Sequence, residues 1–302
     1  MSIYEFAALA AALSWAITGL VASAPSKSLG AFTFSRLRMS FVFVLLALFA
    51  TVMDTWSSVP STGWTFIILS GLVGIFLGDT ALFIALNRLG PRATAILFAG
   101  NAPITVLLGW AILGESLAFI PLLGAIVAFF GIIIAIAFGK ASNSAHDLET
   151  VSGPLWIGIA CGLFAATCQA AGTILIRPVM ETAVGGVAPD PIAVSAVRVG
   201  ISALALQVAA FLPIKAMKRT GPLTAKNLGL TALSGFLAMG VGMTLIVFAL
   251  SGGQAGIVAT LSATTPVLIL PLLWIVTKEA PRKGSWIGAA LTVVGSAMIF
   301  SG

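Results

Sequence analysis

Residues 92–131 read RATAILFAGNAPITVLLGWAILGESLAFIPLLGAIVAFFG, and residues 255–295 read AGIVATLSATTPVLILPLLWIVTKEAPRKGSWIGAALTVVG. The second stretch is a weak copy of the first. Pro103 pairs with Pro266, Glu115 with Glu279, Gly124 with Gly288 and Gly131 with Gly295, with one residue of length difference between Pro and Glu. Each copy holds two apolar runs of about the 20 residues that a helix needs to cross a bilayer. Working outward, Pro25 pairs with Pro178, Arg36 with Arg198, Trp15 with Cys168 and Asp79 with Gly242. The repeat therefore covers the chain. Ten apolar runs lie near 4–22, 32–52, 65–86, 93–113, 119–138, 155–176, 192–212, 228–249, 255–276 and 285–301, and are called spans 1 to 10 below. They are continuous, not alternating in polarity, so helices are expected and not a β-barrel.

The expected fold is an all-α integral membrane protein. Its ten helices form two repeats, residues 1–139 and 154–302, joined by the polar linker 140–153, KASNSAHDLETVSG. Five helices per repeat is an odd number, so the second repeat must be inverted relative to the first. The basic residues agree. Of 15 Lys and Arg, all but Arg177 and Arg198 fall in or beside the connections between spans 1–2, 3–4, 5–6, 7–8 and 9–10. Positive connections stay in the cytoplasm, which puts both termini outside the cytoplasm and the linker inside. Nothing basic precedes Ile3, so span 1 does not read as a cleaved signal peptide.

Composition narrows the function. Charged residues make up 8% of the 302 and apolar residues 59%. A soluble surface needs about 25% charge, so soluble enzymes and secreted modules are excluded. The scattered cations build no basic patch, so no nucleic-acid partner is expected. An intramembrane enzyme would need a converging constellation. The one histidine, His146, lies in the linker, and no metal or cofactor set is visible. No GxxxxGK[ST] motif is present for a nucleotide-driven pump, and no ring of charges suggests a channel filter. Cys161 and Cys168 sit about 10 Å apart on one helix, too far for a disulfide. Inverted repeats are the architecture of secondary transporters, with the substrate near the midplane.

Two five-helix halves, a Pro in the fourth helix of each, and a Glu followed nine residues later by Gly (GESLAFIPLLG, KEAPRKGSWIG) resemble the drug/metabolite transporter superfamily, and within it the EamA-domain carriers. Among these the chain is similar to the aromatic amino acid exporters. The resemblance implies a monomeric carrier in the bacterial inner membrane that exports amino acids or related metabolites without ATP. It also implies that helices 1, 3, 4, 6, 8 and 9 surround a central cavity, with helices 5 and 10 behind. The family's paired Glu and its helix-4 and helix-9 prolines carry over to Glu115, Glu279, Pro103 and Pro266.

The polar residues at bilayer depth are the candidates for the site. Asp79 is the one carboxylate deep in an apolar span. It suits proton coupling, a substrate ammonium, or an ion pair with Arg36 or Arg38. Phe83 follows one turn later and points the same way. Asn101 precedes Pro103, and Thr264 and Thr265 precede Pro266. Proline frees a carbonyl that must be satisfied within the protein. These residues either form a midplane binding element or cap the kink. Trp15, flanked by Ser14 and Thr18, lies about 16 Å from Tyr4. It offers a ring to substrate or fills space. Gln169 and Thr173 occupy the mirrored place on span 6. Arg198 is read as structural, snorkelling outward or holding Glu181 or Asp190. Glu115 and Glu279 are read as helix caps.

Overall fold

The computed structural model describes residues 2–114, 119–138, 153–180, 182, 188–214, 217–250 and 255–300. These residues are mainly helical, with no strand among them. Span 1 is α1 (Ile3–Leu29) and span 2 is α2 (Ala31–Val52). Span 3 is α3 (Trp64–Ser70), a π-helical stretch (Gly71–Leu77) and the first part of α4 (Gly78–Phe98). Span 4 is the rest of α4 and α5 (Asn101–Leu113), and span 5 is α6 (Phe119–Phe138). Spans 6 and 7 are α7 (Leu155–Met180) and α8 (Pro191–Ala209). Span 8 is α9 (Ala225–Gly235), a second π stretch (Phe236–Met243) and α10 (Thr244–Leu250). Span 9 is α11 (Ala255–Ser262) and α12 (Thr265–Thr277), and span 10 is α13 (Lys283–Phe300).

The helices cross back and forth between two ends. At one end Thr220 donates to Ser28 O, Gly153 lies against Arg88, and Gly284 against Phe138. At the other, Tyr4 stacks near Phe248, Ser58 binds Asp190 N, and Gly63 lies against Val179. Thus α1 runs from the second end to the first and α7 runs the opposite way, as an inverted repeat requires. The packing shares this symmetry. Span 1 packs on spans 8 and 9, as span 6 packs on spans 3 and 4; span 2 meets span 7 and span 5 meets span 10.

Why the bundle closes is clearest at spans 5 and 10. On α6, Gly124, Ala128, Gly131 and Ala135 are buried at helical spacing, while Phe130 and Ile133 are 59% exposed. A Cβ at Gly131 would lie 2.5 Å from Thr292 N, and one at Gly288 2.5 Å from Ala135 N. Large side chains therefore point outward and small ones inward. Without a hydrophobic drive between helices in lipid, close backbone contact through small residues is what holds such a pair together. Polar side chains follow the small ones inward: Ser23, Ser26, Ser35, Ser234 and Ser285 are fully buried.

Three expectations about the elements change. Span 1 continues past 22 to Leu29, with Pro25 inside it. The expected loop between spans 3 and 4 is a single residue, Gly90 (φ 80°, ψ 170°), followed by Pro91. Asn87 and Arg92, the first and last residues of that expected loop, lie in helix, and each finds a partner on another span: Asn87 Nδ2 donates to Ser26 O (3.0 Å) and Arg92 to Ser285 Oγ (2.8 Å). The π stretches in spans 3 and 8 were not expected at all.

Candidate functional site

Spans 4 and 9 are broken at matched places. In span 4 the break is Ala99–Gly100, and in span 9 Ala263–Thr264. Bonds tighten there to three-residue steps: Gly100 N to Leu97 O (3.1 Å), and Thr264 N to Leu261 O (3.2 Å). Pro103 and Pro266 do not kink continuous helices. They stand in the first turn of α5 and α12, where a missing N–H costs nothing. The carbonyls they would have engaged are satisfied locally. Ala99 O accepts Ala102 N–H (3.3 Å), and Ser262 O accepts the Thr265 hydroxyl (3.2 Å). Asn101 Nδ2 donates to Phe98 O (2.6 Å) and the Thr264 hydroxyl to Leu261 O (2.6 Å). So these three residues do cap the breaks. They are also half-buried, and Thr265 reaches Ala12 O on span 1 (3.4 Å).

Span 1 is fastened to the π stretch of span 8. Such a stretch shifts the bonding from i+4 toward i+5, and its carbonyls take side-chain donors here. Ser14 Oγ donates to Leu237 O (2.8 Å) and Trp15 Nε1 to Ala238 O (3.1 Å). Thr18 bonds within its own helix, to Ser14 O (2.9 Å). The Trp15 indole lies close enough to Gly242 that a Cβ there would approach Nε1 to 2.5 Å. In the other repeat, a Cβ at Gly78 would meet Cys168 Cβ at 3.2 Å, and Ser70 Oγ donates to Gly172 O (2.7 Å). These contacts set Gly78 opposite Gly242. The sequence pairing of Asp79 with Gly242 is therefore one residue off, and the counterpart of Asp79 is Met243. Gln169 is half-buried on span 6, beside Cys168, and the hydroxyl of Thr173 donates to its carbonyl (3.0 Å).

Asp79 belongs to a different group. Arg38 Nη1 donates to Asp79 Oδ2 at 2.9 Å, with the two side chains 6% and 19% exposed. Of the two arginines open to it from the sequence, Arg38 is the partner. The guanidinium carbon also sits 5.3 Å from the centroid of Phe83, which meets Phe34 edge to face at 4.6 Å. Phe83 is buried in that cluster with Ala22, Leu29 and Leu86. Asp79, Phe83 and Arg38 are thus brought together by spans 2 and 3.

Two structural assignments fail on geometry. Glu279 is no helix cap: it is exposed, four residues before α13 begins, and its backbone N–H donates to Thr277 Oγ1 (3.2 Å). Asp190 does not hold Arg198, because its carboxylate caps α8 at Ile192 N and Ala193 N (both 2.9 Å). The Arg198 guanidinium turns inward, toward Gly74 on span 3. Glu115 and Glu181 lie outside the described residues. The π stretches escaped the sequence reading, yet a signal existed in the clustered glycines 71, 74 and 78 and 235, 240 and 242.

The EamA-like transporter family model matches residues 2–137 and again 156–301. An uncharacterized transporter of Bacillus subtilis (strain 168), YwfM, is 25% identical over 303 residues, 99% of this chain and 94% of that protein. An uncharacterized transporter of Clostridium kluyveri is 30% identical over 114 residues, 38% of this chain and 36% of that one. A protein of known crystal structure superposes with a TM-score of 0.65 at 17% identity, covering 98% of this chain and 95% of its own.

Proposed function

Because the chain belongs to the EamA-like transporter family and is a multi-pass membrane transporter, we propose that it exports neutral amino acids, aromatic ones among them, by alternating access. The observation that carries this reading is the pair of matched breaks in spans 4 and 9, each set against the first helix of the opposite repeat. Discontinuous helices facing a repeat interface are where secondary transporters hold their substrates. Half-buried Asn101, Thr264 and Thr265 would supply polar contacts there, and the half-buried Trp15 indole a flat apolar surface for the side chain. Gln169 would close the set from span 6. The membrane is the bacterial inner membrane, with the basic end of the bundle in the cytoplasm and both termini outside. The carrier works as a monomer, driven by the substrate gradient.

Asp79 supports a holding role in this scheme, since its charge is engaged by Arg38. Counterflow in proteoliposomes tests the function. Vesicles preloaded with unlabelled phenylalanine or leucine are expected to accumulate labelled substrate transiently and saturably. Labelled flux that rises linearly with concentration, or no exchange across a panel of neutral amino acids, overturns the proposal.

A further inference from the structure

Two arginines enter the bundle at equivalent places. Arg38 is the eighth residue of α2 and Arg198 the eighth of α8. Each helix crosses the start of a π stretch of the opposite repeat. A Cβ at Gly235 would lie 3.6 Å from Arg38 Cγ, and one at Gly71 3.3 Å from Arg198 Cα. The structure thus matches Arg198 to Arg38, two residues on from the sequence pairing with Arg36. Their fates differ. Arg38 ends on Asp79, whereas the position equivalent to Asp79 in the second repeat is the apolar Met243.

Arg198 Nε is enclosed and has no hydrogen-bond partner, and among the described residues no carboxylate pairs with the guanidinium. Its Nη2 lies 3.6 Å from the point where a Cβ of Gly74 would stand, and Cys168 O lies 3.6 Å from the same point. There spans 3 and 6 touch glycine to glycine, Gly74 against Gly172. Seven residues into α8, Arg198 is about 10 Å from its helix start, and Gly74 about 15 Å from Trp64, so the group lies near mid-bilayer. A buried charge without a counter-charge is costly to hold, and an ionisable residue at this depth is a functional candidate. The residue as a whole is half-buried rather than sealed. It stands level with Cys168, the mate of Trp15, and thus at the height of the proposed substrate site. A guanidinium presents a planar fork of donors that a carboxylate fills with two parallel bonds.

We infer that Arg198 binds the carboxylate of the transported molecule, taking from the substrate the negative charge that Asp79 gives Arg38. The inference rests on the amino acid reading for the identity of the substrate, but not for the anion site itself. It is tested on the purified full chain in detergent by thermal shift, with benzoate, phenylalanine, phenylalaninamide and sodium chloride as probes. Wild type is expected to be stabilised by benzoate and phenylalanine and not by the amide. Arg198→Gln should weaken the apparent affinity for both carboxylates at least tenfold, and Arg198→Lys less. Stabilisation that survives Arg198→Gln, or chloride protecting as well as benzoate, overturns the inference. So does the absence of any carboxylate effect on wild type. Should Arg198→Gln not fold, phenylglyoxal labelling of wild-type Arg198, read by peptide mass spectrometry, decides: benzoate should slow it about fivefold, and an unchanged rate rejects the site. Benzoate binding through Arg198 in a protein that exchanges no amino acid would reject the function and keep the site.

Discussion

Asp79→Asn removes one charge from a pair that spans 2 and 3 enclose together. The Arg38 side chain is 6% exposed, its Nε has no acceptor, and its Nη1 loses the 2.9 Å bond to a carboxylate. What remains is a guanidinium beside the Phe83 ring with no counter-charge, its aliphatic stem against Gly235. Removing one partner of a buried pair costs about 3–5 kcal/mol, because the other charge is stranded. Arg38→Met strands Asp79 instead, which is 19% exposed, so its cost should be smaller. The double variant Arg38→Met with Asp79→Asn strands no charge and should fall within about 1–2 kcal/mol of wild type. Unfolding by SDS or heat in detergent, followed by tryptophan fluorescence, gives the four corners of the cycle, whose coupling should exceed about 2 kcal/mol. Counterflow activity should fall in Asp79→Asn and return in the double variant. Additive losses in the cycle, or Asp79→Asn as stable as wild type, would refute the ion pair as a lock. A stable double variant that transports nothing would instead give Asp79 a part in transport itself.

Gly131→Val should cost about 1–3 kcal/mol by overpacking, since a branched side chain has only the α13 backbone at Thr292 to displace; a thermal midpoint equal to wild type would contradict the small-residue seam. Trp15→Phe keeps a ring but loses the bond to Ala238 O. Apparent KM for aromatic substrates is expected to rise severalfold with smaller effect on maximal rate, and an unchanged KM would remove Trp15 from the site. In a background lacking Cys161 and Cys168, Ser2→Cys should react with a membrane-impermeant maleimide in intact cells, and protection from labelling would reverse the proposed orientation.

The architecture was legible because charges are few and their placement is conspicuous: Lys27, Arg88, Lys218 and Arg282 mark alternate connections, and the two proline–glutamate stretches mark the repeat. The site was legible in part. Asn101, Thr264 and Thr265 stand at the breaks because polar residues are needed where backbone bonding is interrupted, and that need is visible in a chain. The π stretches are different in kind. Two carbonyls of Phe236–Met243 take Ser14 and Trp15 from another helix, and hydropathy cannot register that in a segment already uniformly apolar. Likewise the partners of Asn87 and Arg92, Ser26 and Ser285, lie 61 and 193 residues away in the chain, out of reach of a reading of the local sequence.

The two single-residue connections constrain how the first repeat can move. Gly30 (φ 83°, ψ 144°) alone joins α1 to α2, and Gly90 alone turns span 3 into span 4. Two virtual bonds of 3.8 Å hold the joined ends within about 7 Å of each other, a leash too short for either hairpin to scissor open at that end. Spans 2 and 3, by contrast, are joined at the opposite end by residues 53–63. Any swing in this half must therefore pivot span 2 on span 1 and span 4 on span 3 about their joined ends, while the longer link leaves slack between the two hairpins. A side chain at either glycine would meet positive φ, so both pivots rest on positions where any other residue is strained.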